Sequence, residues 1–454
     1  MKIKSRGIAW IDGEWDAIPD IPSLSVIGLG KLGIPMAVCL ARQGFHVIGA
    51  DTNQNTVDTL NEGRSPIFEP GVGELLNEAG SRFVATSNII AAVAGSDVSF
   101  VSFVVVPTPS DEDGWFSLKH VKAACTEIGM VLRKKPDFHV IVIVSTVMPG
   151  AMDEHIVPLL EKVSGKICGI DFGVCYSPEF IALGSVIRDY LNPDFVLIGE
   201  SDEAAGDIVE EIYNQVTGDA PVVRMNFINA ELAKLALNNY VTMKITFANS
   251  LAQMCERIPG ANVDTVTQTI GLDHRIGARY LTGATPFGGP CFGRDVRALR
   301  ALGQRIGGYF PLATIIDLVN KEQADHLRQL VERHLVEDGV VGILGLVYKP
   351  NTDVIEESPG ATLAQELAGE GIKVAAYDPS GVEIQCARPI HLAKSAEDCI
   401  AMSDVVIITT MWDEFLGTEA LFSNQAVIDC WRILDAQLLN ESVTYIPVGI
   451  GLEK

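Results

Sequence analysis

The sequence predicts an α/β protein with two Rossmann-like parallel-sheet domains joined by a long central helix. Three observations lead there. Short apolar runs alternate with helical patterns in both end regions, as in a parallel sheet covered on both faces. A Gly28-x-Gly30-x-x-Gly33 signature separates the first such run from the first helical pattern. The order of features in the first region then returns in the last.

Residues 24–28 read as a buried strand, 31–42 as a helix and 46–50 as the second strand, closed by Asp51. Further strands are expected at 98–105, 140–145 and 195–198. In the last region, 340–346 reads as a strand, followed by a Gly- and Pro-bearing loop and a helix around 361–368. A strand at 373–377 ends at Asp378, as the strand before Asp51 does. Ala401-Met402-Ser403-Asp404-Val405 opens a strand just as Ala94-Gly95-Ser96-Asp97-Val98 does. Between the two regions, Asn229 is read as an N-cap and Pro259-Gly260 as the end of one helix. Its length of roughly 40 Å exceeds the need of one domain, so it is expected to span two domains and pack against its copy in a homodimer. The expected organisation is an extension at 1–22, a dinucleotide-binding domain at 23–224, a central helical and cysteine-bearing region at 225–329 and a second Rossmann-like domain at 330–454.

Composition narrows the function. Apolar residues make up 48% and charged residues 20%, which supplies a core and gives no disorder signal. A net charge of -24 argues against nucleic-acid and anionic-membrane partners, so an anionic substrate must rely on a few local cations. Nine scattered cysteines with no CxxC pair predict neither zinc nor disulfides, and fit reduced thiols in a cytoplasm. The charged N-terminus is no signal peptide, and no run reaches the ~18 apolar residues of a spanning helix.

Gly28, Gly30 and Gly33 permit a tight turn, close approach of a pyrophosphate and tight helix–strand packing, with the phosphate charge at a helix N-terminus. Asp51 would accept hydrogen bonds from the adenosine ribose and repel a 2′-phosphate, so NAD is expected rather than NADP. The second region lacks this signature. Its Lys349, at a strand end, reads either as a phosphate-binding point charge or as a solvated surface lysine.

The stretch Phe287-Gly288-Gly289-Pro290-Cys291-Phe292-Gly293-Arg294-Asp295 carries the chemistry. Glycines permit close substrate approach, and the Arg294 guanidinium favours a thiolate at Cys291. A hydride-accepting cofactor plus a cysteine that holds an acyl group equips a protein to oxidise an aldehyde to an acid. On these residues alone, a buried and inert thiol explains the stretch equally well. Helical spacing puts Lys234 and Asn238 on one face, one turn apart.

Together these residues resemble the UDP-glucose/GDP-mannose dehydrogenase family from about residue 24 to about 449. Ser145-Thr146-Val147-Met148-Pro149-Gly150 is similar to its STVxPG motif, and Ser177-Pro178-Glu179-Phe180-Ile181 to its PEFL segment. Glu231 to Asn238 resembles the helix with its catalytic lysine and asparagine. Gly271 to Gly277 leads into the cysteine motif, residues 345–359 resemble its GLxxKxxTxDxRESP loop, and Arg432 stands where a sugar-contacting arginine is found.

The resemblance implies a four-electron oxidation of a nucleotide-sugar C6 alcohol with two NAD, through a thiohemiacetal and a thioester on Cys291. It implies that Lys234 stabilises the alkoxide, that Asn238 holds the water or the oxyanion, that Asp295 orients that water or Lys234, and that Glu179 is the base for hydrolysis with Thr146 binding the water. It assigns Leu32, Thr108, Thr146 and Arg294 to the cofactor. It assigns Phe180, Ile181, Lys234, Asn238, Arg275, Phe287, Gly288, Lys349 and Arg432 to the sugar nucleotide, Arg275 from a partner subunit. UDP-glucose is the expected substrate. UDP-N-acetylmannosamine, GDP-mannose and a sugar-nucleotide sensor without turnover are the alternatives, and a two-electron 6-phosphogluconate-type dehydrogenase is disfavoured because it needs no such cysteine.

The chain departs from the family pattern where Glu356 replaces an arginine that contacts cofactor phosphates. Leu183 replaces an acid, Pro286 a glycine, and Gly293-Arg294-Asp295 a Pro-Lys-Asp.

Overall fold

The computed structural model describes residues 21–102, 110, 113–308 and 310–451. The chain forms two compact units, divided between Leu235 and Ala236 inside one long helix.

The first unit is built on eight strands: β1 (Leu24–Ile27), β2 (Val47–Ala50), β3 (Phe83–Thr86), β4 (Val98–Val101), β5 (Val140–Ile143), β6 (Gly173–Tyr176), β7 (Val196–Glu200) and β8 (Val222–Met225). Their order is β3-β2-β1-β4-β5-β6-β7-β8. The six strands from β3 to β6 pair in parallel, in register from Leu24 opposite both Val47 and Val98 outward. β6 and β7 are antiparallel, with Cys175 opposite Glu200. An apolar run buried on both faces looks the same whichever way it runs, so this reversal is not legible in the sequence. Alternation along the strands divides the apolar side chains between two cores. Val26, Val38, Leu40 and Phe100 pack on one face, and Ile27, Ile128, Ile141 and Ile143 on the other.

The helix Gly33–Arg42 follows β1 as expected, and nine of its ten residues are buried. Gly33 is required there, because a Cβ would lie 1.8 Å from the Gly28 carbonyl oxygen. The long helix runs over Phe227–Cys255, 29 residues or about 43 Å. It starts two residues before the expected cap. Asn226, not Asn229, supplies the capping oxygen, accepting from the Asn229 N–H at 3.3 Å.

The second unit carries β9 (Val340–Leu344), β10 (Lys373–Tyr377), β11 (His391–Leu392), β12 (Val405–Ile408), β13 (Ala426–Asp429) and β14 (Thr444–Pro447). Their order, β11-β10-β9-β12-β13-β14, repeats that of β3 to β6 in the first unit. The repetition extends to single bonds. Asp97 accepts from the Ser23 N–H at 2.9 Å, and Asp404 accepts from the Val340 N–H at 2.9 Å. A Cβ on Gly360 would lie 2.0 Å from the Gly345 carbonyl oxygen, matching Gly33 over Gly28.

Asp378 accepts from the backbone N–H groups of Leu346 and Val347 at 2.6 and 3.0 Å and from Trp412 Nε1 at 3.3 Å, and it is buried. Asp378 is thus held by its own loop. Beside the sheet lie the helices Phe292–Arg305 and Pro311–His334.

Candidate active site

The cofactor cradle forms where β1 turns into its helix. Gly28 sits at φ 97°, a conformation natural to glycine. Leu32 is buried against the core immediately before the helix, whose first-turn N–H groups suit an anion. Asp51 accepts from the Leu29 N–H at 2.8 Å and the Asn53 N–H at 2.8 Å, which fixes the carboxylate beside the glycine turn while leaving it partly exposed. A glycine turn with no side chain in the way, a helix end and a fixed carboxylate suit a dinucleotide. Thr108 lies outside the described residues.

The first unit also carries Thr146, Glu179, Phe180, Ile181 and Lys234. Thr146 follows β5 and is buried. Its loop is anchored by Glu231, whose carboxylate accepts from the N–H groups of Gly150 at 2.7 Å and Met152 at 2.8 Å. Glu231 is wholly buried. Burial pushes its carboxyl from 4.5 up to about 7, opposed by those two bonds. In the sequence it is one acid of a helical pattern, three residues before Lys234. Its role becomes visible only when the loop packs on that face.

Lys234 Nζ donates to the backbone carbonyl of Glu179 at 2.6 Å and lies 4.6 Å from the centre of the Phe180 ring. Phe180 in turn packs on Phe195, with ring centres 4.8 Å apart. Phe180 and Ile181 are half-buried. The Glu179 carboxyl turns inward and accepts from Tyr213 Oη at 2.9 Å. Burial raises it from 4.5 to about 7, while Tyr213 and Lys234 pull it down.

The second unit gathers Asn238, Cys291, Arg294 and Asp295. Cys291 occupies the cap position of the helix Phe292–Arg305, at the end that carries partial positive charge. Its carbonyl accepts from the Asp295 N–H at 2.9 Å. Asp295 is buried and joined to the long helix twice. Asn238 Nδ2 donates to its Oδ2 at 2.6 Å, and Asn239 Nδ2 donates to its carbonyl at 3.1 Å. Arg294 is also buried, with Nε 3.6 Å from Asp295 Oδ1.

The strand-like stretch before the cysteine is strapped by three residues that the sequence reading did not single out. Asn320 bonds the N–H and carbonyl of Phe287 at 2.8 and 3.0 Å, Asn249 bonds Ala284 and Thr285, and Gln323 bonds the Ala284 carbonyl. Amides on two helices bonded to one loop leave no sequence pattern.

The loop 345–358 lies on the cysteine loop. A Cβ on Gly288 would come 2.1 Å from the Glu357 carbonyl oxygen, which explains the glycine. Glu357 pairs with Arg297 at 2.6 Å. A cation from the cysteine-bearing helix thus serves Glu357. Glu356 is exposed, and its carbonyl accepts from the Gly289 N–H at 3.1 Å. Lys349 is half-buried in the same loop.

Two residues expected to contact the ligand also have partners within the chain. Arg432 forms a paired bond with Asp264 at 2.6 and 2.8 Å and donates to the carbonyls of Gly283, Cys430 and Val448. These donors hold the last strand loop to the helical region. Arg275 is exposed and pairs with Asp273 of its own chain at 2.5 Å. No group of three or more His, Cys, Asp or Glu able to hold a metal ion occurs among the described residues.

Three family models match in sequence along the chain. The NAD binding domain of the UDP-glucose/GDP-mannose dehydrogenase family covers residues 23–217, its central domain 228–322 and its UDP binding domain 342–436. A UDP-glucose 6-dehydrogenase of Haloferax volcanii is 36% identical over 90% of this chain and 97% of its own length. The chain belongs to the UDP-glucose/GDP-mannose dehydrogenase family. A GDP-mannose 6-dehydrogenase of Pseudomonas aeruginosa is also 36% identical, over 78% of this chain and 80% of its own. The structure of a UDP-glucose dehydrogenase from Pyrobaculum islandicum superposes with a TM-score of 0.87 at 32% identity, covering 96% of this chain and all of that one. As a member of this dehydrogenase family the protein uses NAD, and its C-terminal domain binds a nucleotide sugar. No helix among the described residues is long and apolar enough to cross a membrane.

Proposed function

We propose that this family member oxidises the C6 alcohol of UDP-glucose to the carboxylate of UDP-glucuronate, holding the intermediate on Cys291. The observation that carries the covalent route is the placement of Cys291 at a helix N-terminus, one turn before an Asp295 that is locked to Asn238 at 2.6 Å. The glycine turn, Leu32, Asp51 and the Arg294 side would hold NAD, which would supply the hydride acceptor for the two oxidations. Lys234 stabilises the alkoxide of the first step. The Cys291 sulfur adds to the C6 aldehyde as a thiohemiacetal, which becomes a thioester on the second oxidation. Water, bound by Thr146 and deprotonated by Glu179, then releases the acid and the thiolate. Asn238 holds the oxyanion or the water, and Asp295 orients that water or Lys234. Phe180, Ile181, Phe287, Gly288 and Lys349 form the sugar-nucleotide side of the site.

UDP-glucose is favoured over GDP-mannose because the Haloferax volcanii relative is matched over nearly its whole length. The alternative, GDP-mannose, is supported by relatives of equal identity. A panel of UDP- and GDP-sugars with NAD separates them: two NADH per UDP-glucose and none from GDP-mannose is the expected result. No NADH from any sugar would leave the sensor reading.

The domain limits at 224 and 329, a cytoplasmic location and a homodimer belong to the same proposal. Tyr240, Phe247 and Met254 recur every seven residues on the long helix, each more than half exposed, which suits packing against a second copy. A light-scattering mass of one chain would overturn the dimer.

A further inference from the structure

Behind the Glu179 carboxyl lies a buried chain of hydroxyls that no step described so far uses. Ser177 Oγ donates to Tyr213 Oη at 3.1 Å, and Tyr213 Oη donates to Glu179 Oε1 at 2.9 Å. Ser177 and Tyr213 are both buried. Tyr213 belongs to the helix Glu203–Thr217, remote in sequence from the site, and its ring is fixed edge-on against Phe100 at 6.4 Å. Tyr190 Oη is buried in the same place, with no hydrogen-bond partner among the described residues. A cavity of about 10 Å³ bounded by Ser177, Glu179, Tyr190 and Tyr213 has the room of about one water, which would give Tyr190 its partner.

We propose that Tyr213, oriented by Ser177, is a positioning residue for thioester hydrolysis: it holds Glu179 so that one carboxyl oxygen is engaged and the other takes the proton of the attacking water. The inference rests on the reading of Glu179 as the hydrolytic base. In the step it serves, the water oxygen bonds to the thioester carbon, the carbon–sulfur bond breaks, sulfur leaves as the Cys291 thiolate, and the water proton passes to Glu179. Nothing is oxidised or reduced.

The sign of the effect follows from the donor. A phenol that donates to a carboxylate stabilises the ionised base, so removing it raises the pH at which the base becomes active. The other titratable groups facing Glu179 are Lys234, which favours its anion, and Tyr190 and Cys39, both held neutral by burial.

The test is the Tyr213→Phe variant of the full chain with the preferred nucleotide sugar and NAD. The expected result is an acid limb of kcat displaced upward by on the order of one pH unit. Acyl-enzyme on Cys291 should be visible by mass spectrometry at pH 7, with KM for the sugar within about twofold of the parent. Ser177→Ala should move the limb in the same direction by less, and it decides the matter should Tyr213→Phe not fold. An unmoved acid limb with no acyl-enzyme in these variants overturns the proposal, provided that Glu179→Gln still stops hydrolysis. If Glu179→Gln hydrolyses normally, the base reading itself falls.

Discussion

The Lys234 ammonium is bound to the backbone carbonyl of Glu179 at 2.6 Å, so the proposed alkoxide stabiliser and the proposed base share one anchor. Lys234→Ala removes a cation from the first oxidation and also frees the 178–181 segment. A loss of roughly 10²- to 10⁴-fold in the single-turnover rate of NADH formation is expected. NAD affinity should be nearly unchanged, because the glycine turn is untouched. Stopped-flow absorbance and a cofactor titration check both halves, and a loss under tenfold would remove Lys234 from the chemistry.

Glu179 and Glu231 give the protein a pH-dependent stability. Both carboxyls are raised by burial from 4.5 to about 7, so the folded state binds protons more tightly than the unfolded one. Their contribution is fully favourable below about pH 4.5 and is lost as pH rises to about 7. Glu179→Gln keeps an acceptor for Tyr213 and removes the buried charge. It should therefore melt higher than the parent at pH 8, with the gap closing towards pH 5. A constant gap across that range would show that the carboxyl is not protonated by folding.

Cys291→Ser should form little or no acid. Serine is not readily ionised, and its oxygen ester resists hydrolysis more than a thioester does. Intact-mass measurement after mixing with sugar nucleotide and NAD is expected to find a covalent adduct or unreacted protein. Turnover like that of the parent would take Cys291 out of the nucleophile's place.

Asp51 is held beside the glycine turn by the N–H groups of Leu29 and Asn53, so it is pre-set to meet a ribose. A 2′-phosphate would meet the same carboxylate as a like charge. NADP should serve at least about tenfold less well in kcat/KM, a difference of ~1.4 kcal/mol. Asp51→Asn should narrow the gap, which steady-state kinetics with both cofactors measures.

The Arg432 bond to Asp264 predicts a stability effect ahead of a binding one. Asp264→Asn leaves a mostly buried guanidinium with a neutral partner. A cost of about 1–3 kcal/mol is expected in chemical denaturation, with KM for the sugar little changed. An increase in KM with unaltered stability would return Arg432 to the substrate.

The sequence by itself determined which kind of fold forms and which residues carry reactive groups. Apolar alternation, the glycine turn and the acids ending the second strands are local patterns, and they yielded the strands around Asp51 and Asp378, the helix after Gly33 and the long helix to within four residues at either end. Motif order also singled out Cys291, Lys234, Asn238 and Asp295. Tertiary structure decided everything that depends on what a side chain faces. A helical acid such as Glu231 reads as solvated until a loop packs over it. The bonds that its own loop makes to Asp378, and the bond from Arg432 to Asp264 168 residues away, leave no local pattern. The reversal of β7 and the hydroxyl chain from Ser177 to Glu179 belong to the same class. Hydrogen bonds and burial between distant segments set charge, orientation and availability, and a one-dimensional pattern records none of them.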